Sequence, residues 1–161
     1  MSADYFLKIE GVDGESLDSK HKGSIEVESF SWGAAQKVAS AGGGAGAGKV
    51  SVHDMHFTAK VNKASPVLFL ACCTGEHYKK ALLTCRKAGG EQVEYLKVLL
   101  TDIMVSAYDS SGSGGDGTPV PDDKVTINFA KFEFQYSPQK ADGTLDGAVK
   151  VAYDVKASKK V

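Results

Sequence analysis

The sequence predicts a mainly β fold, an antiparallel β-barrel with one short flanking α-helix and extended glycine-rich loops. Three observations lead there. Apolar residues recur at alternate positions over runs of strand length, as in Val149, Val151, Tyr153 and Val155 between Lys150, Asp154 and Lys156, and period two marks a strand with one face on a core. Only one stretch carries helix punctuation at both ends. Glycine, at 18 residues, is concentrated in two loops between the runs, where it bends the chain but builds no core.

In chain order, Tyr5 to Ile9 is the first strand, followed by a polar loop from Gly11 to Gly23 and a second strand from Ile25 to Trp32. The run Ser40 to Gly48 offers no side chains for a core, and Val50 to Val61 is the third strand. Ser65-Pro66 supplies an N-cap and a first-turn proline, and Gly75 a C-terminal stop, so Val67 to Thr74 is the helix. Val67 to Cys73 is apolar all round, which predicts cover on several sides. Ala81 to Lys87 and Val93 to Tyr108 form a hairpin about Gly89-Gly90. A second glycine loop, Ser110 to Gly117, leads to the long strand Lys124 to Tyr136, and a loop from Ser137 to Gly147 precedes the closing strand. A set of strands with one helix is the pattern of a closed or nearly closed barrel.

Three strands reverse hydrophobic phase. Ile25 and Val27 give way to Phe30 and Trp32, Val50 and Val52 to Met55, Phe57 and Ala59, and Val125, Ile127 and Phe129 to Phe132, Phe134 and Tyr136. Either a β-bulge at each switch keeps all of them on one side, or both faces meet apolar surroundings, as in a barrel pressed against copies of itself. Leaving Ile25, Val27, Val50 and Val52 in water would forgo on the order of 6–10 kcal/mol, so one of the two must hold.

At 161 residues the chain makes a single domain, 1–161. The 19 basic residues nearly balance 20 acidic ones without a Lys/Arg block, which argues against a nucleic-acid partner. The longest apolar stretch, Val67 to Cys73, is far too short for membrane insertion. The acidic start Met1-Ser2-Ala3-Asp4-Tyr5 is unlike a signal peptide, so any export uses a route that needs none. Cys72, Cys73 and Cys85 are expected to be buried, inert thiols.

Catalytic look-alikes fail on inspection. Gly43 to Val50 approaches a phosphate-binding loop, but Val50 replaces the required hydroxyl and a strand follows where a helix is needed. Gly112 to Gly117 matches a dinucleotide pattern, yet Thr118-Pro119-Val120-Pro121 follows it. His53 and His56, an odd number apart on a strand, are expected on opposite faces in regular β geometry, and Cys72 and Cys73 diverge by about 100° on a helix. No catalytic residue, metal site or cofactor is therefore expected.

Phe30-Ser31-Trp32-Gly33, Ala47-Gly48-Lys49-Val50, Gly75-Glu76-His77-Tyr78, Arg86-Lys87-Ala88-Gly89-Gly90, Val93-Glu94-Tyr95, Asn128-Phe129-Ala130 and Tyr136-Ser137-Pro138-Gln139-Lys140-Ala141-Asp142-Gly143 together resemble the haemolysin-coregulated protein (Hcp) family, which forms the inner tube of bacterial type VI secretion systems. The resemblance implies a barrel with a flanking helix, six copies in a ring, and rings stacked into a hollow tube driven out by a sheath. It further implies a spike protein and small effectors as partners, with the tube in the bacterial cytoplasm before firing and outside the cell afterwards. The chain stops soon after its last strand, which leads us to expect no fused effector domain.

On that reading Ser29 and Ser31, small polar residues opposite Phe30 and Trp32, face the lumen and its cargo. The loop residues Gly42, Gly43, Gly44, Gly46, Gly48 and Lys49 serve ring stacking or contacts between subunits, and Arg86 and Lys87 add charges between rings. The alternative is a monomeric β-barrel that binds a small ligand inside, which would require an open cavity; the large residues Phe30, Trp32, Phe57, Phe129, Phe132 and Phe134 are enough to fill it instead.

Overall fold

A computed structural model describes residues 3–38, 47–87, 92–117 and 119–161, with the backbone alone at 47 and 48. The strands are β1 (Ala3–Ile9), β2 (Ile25–Val27), β3 (Ser29–Val38), β4 (Ala47–Lys60), β5 (His77–Lys87), β6 (Val93–Ser111), β7 (Asp122–Tyr136), β8 (Val149–Asp154) and β9 (Lys159–Lys160), with helix α1 (Ser65–Thr74) between β4 and β5. All pairings are antiparallel, in the order β2-β1-β5-β6-β7-β4-β3, with β8 added beside β7 and β9 beside β8. The fold is the predicted one, mainly antiparallel β with a single short helix among the described residues.

The sheet does not close by hydrogen bonds. β2 and β3 stand at the two ends of the path, yet they are successive parts of one extended run that changes partner at Glu28. Val27 still pairs with Tyr5 of β1, while Ser29 already pairs with Thr58 of β4, and the Glu28 N–H donates to the Thr58 carbonyl at 2.8 Å. The chain itself, rather than a ladder, links the ends. β7 is likewise shared, with Asp122 to Ile127 against β4 and Lys131 to Tyr136 against β8.

The phase reversals resolve as local irregularities within one protomer. From Ser31↔His56 to Gly33↔His53 the ladder advances two residues on β3 and three on β4, a bulge that lets both Val52 and Met55 pack on the core. The switch of partner at Glu28 does the same for Val27 and Phe30. On β7, Phe129, Phe132 and Phe134 lie 6.2, 5.2 and 5.2 Å from the Trp32 ring and so stand on one side of the sheet. At that level Asp102 of β6 has φ +53°, and the Ala130 carbonyl accepts from the Val155 N–H at 2.8 Å. The reversals by themselves therefore require no neighbouring copy. Leu7, Ile9, Ile25, Met55, Phe57, Leu83, Val98, Leu100, Ile103 and Ile127 fill the interior, each side chain gaining about 1.5–3 kcal/mol from burial.

Two expectations for the helix are corrected. The N-cap position is Ala64, not Ser65. Ser65 begins the helix, where its Oγ accepts from the Asn62 N–H at 2.9 Å and donates to the buried carboxylate of Asp123. Nor is the helix covered on several sides: Ser65, Leu68 and Ala71 are buried, while Val67, Phe69 and Leu70 are 43%, 52% and 62% exposed. A helix laid on one sheet shows it only the residues three and four apart. Gly75 ends the helix at φ +71°, its N–H donating to Ala71 O at 2.9 Å.

Candidate functional site

Opposite the core, β3, β4, β7 and β6 present a polar face built by register. Ser29 sits beside Thr58, with hydroxyls 2.6 Å apart, and Ser31 opposite His56, whose Nδ1 is 2.8 Å from Thr126 Oγ1. Next to them the Asp54 carboxylate accepts from Ser106 Oγ at 2.8 Å and from Asn128 Nδ2 at 2.9 Å. Ser29, Ser31, His53, His56, Ser106 and Asn128 are all exposed. At the rim, Lys60 is 2.5 Å from Asp122 and 3.7 Å from Glu28, and the Asp122 carboxylate raises the pKa of the ammonium. The surface can hydrogen-bond a hydrophilic partner throughout its length.

The bulge in β4 also overturns the expectation for the two histidines. Gly33 lies opposite His53 on the same side as Ser31, and a Cβ placed on Gly33 would stand 3.6 Å from His53 Nδ1. His53 and His56 therefore share the polar face. Among the described residues no group of three or more His, Cys, Asp or Glu is placed to hold a metal ion.

The other side of the far sheet half is apolar. Tyr136 pairs with Val149, Phe134 with Val151 and Phe132 with Tyr153, so these six share a face. Trp32 covers Phe132 and Phe134. Val149 and Val151 remain 63% and 56% exposed and Tyr136 46%. Contiguous exposed apolar area of this kind marks a contact surface.

The remaining expected site residues separate. Gly42, Gly43, Gly44 and Gly46 lie outside the described residues, whereas Gly48 and Lys49 belong to β4 and not to a loop. A strand rather than a helix thus follows the phosphate-loop look-alike. Arg86, expected between rings, is instead inside the protomer with its side chain 4% exposed. Its guanidinium donates to Asp18 at 2.6 and 2.9 Å and to Asp4 at 3.3 Å, and holds the Asp18 carboxyl down to about 2. Polar loop residues cover it because β1 and β5 carry Phe6 and Arg86 outward, away from the core. Lys87 donates to Gln139 Oε1 at 2.6 Å and lies 5.7 Å from the Tyr95 ring centroid. The thiols differ as well: Cys85 is buried, with burial pushing it up to about 12, Cys72 is half-buried and Cys73 is exposed.

Sequence reasoning missed Thr58 and His56, which pair with Ser29 and Ser31, and Asp54, Ser106, Thr126 and Asn128, which share the polar face with them. Their signal was alternation, with Thr126 and Asn128 between Val125, Ile127 and Phe129. Register across strands was needed to assemble them.

The pattern of the family described as "Type VI secretion system effector, Hcp" matches residues 6–136. "Protein hcp1" of Pseudomonas aeruginosa is 46% identical over 159 residues, 97% of this chain and 97% of that relative. Among solved structures, Hcp1 from Salmonella typhimurium superposes with a TM-score of 0.79 at 37% identity, covering 100% of both chains. A structure described as a type six secretion system protein reaches 0.93 at 28% identity, covering 99% of this chain and 100% of its own. No helix among the described residues is long and apolar enough to cross a membrane. With its matched residues running from β1 to the end of β7, the chain belongs to the Hcp family of type VI secretion system proteins.

Proposed function

We propose that this chain is a structural tube subunit: six copies form a ring, rings stack into a hollow tube, and the tube carries small effector proteins in its lumen. The observation that carries the reading is the contrast between two sheet surfaces on one protomer. The face bearing Ser29, Ser31, His56 and Thr126 is polar and hydrogen-bonded, suited to a water-filled channel. The strip of Tyr136, Val149 and Val151 is apolar and uncovered, suited to burial against another copy. Membership of the Hcp family supports the assembly, the sheath and spike as partners, and passage from the bacterial cytoplasm to the exterior. The segment Gly42 to Gly48 and Lys49 remains our candidate for ring stacking, since backbone without side chains can dock without steric demand. Lys87 is a candidate charge between rings.

The subunit acts here by enclosing space, not by chemistry. The rival reading, a monomer with a ligand inside the barrel, is disfavoured because Phe57, Leu7, Ile9, Met55 and Leu100 occupy that interior at under 2% exposure. Native mass measurement with electron microscopy of the purified protein tests the proposal. Six-fold rings are expected; a monomer in dilute buffer overturns it.

A further inference from the structure

Helix α1 carries no charged residue from Ser65 to Thr74, and the protomer covers only one side of it. Leu68 and Ala71 face the core, whereas Val67, Phe69 and Leu70 stand outside. A helix apolar all round ordinarily sits between two layers, and here the protomer provides one. The strip of Tyr136, Val149 and Val151 has the same need. Charges beside it turn to the opposite face of the sheet, where Lys150 meets Glu133 at 3.5 Å. Among the described residues these are the two places where several large apolar side chains are exposed together; the others, Leu17 and Val38 among them, stand one to a segment. The two lie towards opposite ends of β6: Phe69 packs on Tyr108, near its end, and Tyr136 pairs with Leu96, near its start. Both are exposed, so neither covers the other within one protomer.

We propose that the face of α1 at Val67, Phe69 and Leu70 on one copy covers the apolar strip of the next copy, and that this contact closes the ring. The inference rests on the tube reading and deepens it by naming the two surfaces that meet. A ring of identical subunits joins one surface to a different one, every copy supplying both. Strip against strip would stop at a dimer. Both surfaces are apolar and without charge, as the centre of an interface requires. A component outside the tube is the less suitable cover, because a tube that leaves its sheath for water would carry the bare helix with it.

Leu70→Glu and Val151→Lys, purified separately, test the contact by native mass measurement. Leu70 is 62% and Val151 56% exposed, so the urea midpoints of both variants should stay near that of the unmodified protein; Val67→Glu replaces Leu70→Glu if its midpoint falls. Each variant alone is expected to lose rings, since every contact in it sets one charge against an apolar surface. An equimolar mixture is expected to assemble again, as mixed dimers or as six-membered rings of the two variants in alternation. The unaltered strip of the Leu70→Glu chain then meets the unaltered helix of the Val151→Lys chain. Rings from Leu70→Glu alone, or a mixture without mixed species, overturn the inference and leave the tube standing; the first result would give the helix to a partner outside the tube. If the unmodified protein is a monomer, tube and contact fall together.

Discussion

Arg86 grips Asp18 with two guanidinium nitrogens, at 2.6 and 2.9 Å, while its Cζ lies 4.7 Å from the centroid of the Phe6 ring. His21, three residues beyond Asp18, stacks on the same ring at 4.5 Å and meets Glu94 at 2.6 Å. The loop after β1 is thus fastened over the outer side of β1 and β5 by paired charges. A two-pronged guanidinium contact is the strong form of such pairing.

Arg86 lowers the Asp18 carboxyl from 3.8 to about 2. A depressed acid contributes stability above its unfolded value and loses it as pH falls through the folded one. Asp18→Asn should therefore lower the urea midpoint at pH 7, and its curve should converge with that of the unmodified protein between pH 3.8 and about 2. A gap that stays constant through that window contradicts the assignment.

Ser65→Ala removes one of the two hydroxyls that, among the described residues, donate to the carboxylate of Asp123, which is 2% exposed, and leaves Tyr108 OH at 2.5 Å. Stripping a partner from a buried acceptor costs about 1–3 kcal/mol. Chemical denaturation should report a loss of that size.

Thiol labelling should follow exposure. In timed alkylation at pH 8 followed by peptide mass analysis, Cys73 should react first, Cys72 more slowly, and Cys85 only once urea has unfolded the chain. Early labelling of Cys85 would show that β5 opens on its own.

Val151→Lys tests the apolar strip. The side chain is 56% exposed in the protomer, so stability should change by no more than about 0.5 kcal/mol. Rings should nevertheless be lost on micrographs, because the ammonium would have to be buried between copies. Intact rings would move the subunit contact elsewhere.

Lumen and stacking should separate by mutation. Ser31→Glu is expected to leave rings intact and change which cargo co-purifies, whereas removing Gly42 to Gly48 should hinder tube formation and secretion while six-membered rings survive. Collapse of Ser31→Glu to monomers would place Ser31 in a packed contact, and unimpaired tubes after the deletion would free the glycine segment of any stacking role.

Alternation along Lys124 to Tyr136 and Val149 to Val155, and the Pro66 and Gly75 signals around the helix, were enough to assign the β class, the strand order along the chain and the helix position, because local periodicity and backbone punctuation act within a few residues. The motif set was enough to mark the family. Register was a different matter. A single extra residue at Asp54–Met55 decides which face His53 occupies, and the change of partner at Glu28 decides that Val27 and Phe30 share a core. Arg86 read as a surface charge until the loop carrying Asp18 and His21, about 70 residues away in sequence, folded over it. Such outcomes depend on which strands meet and at what offset, a choice set by the packing of the whole sheet.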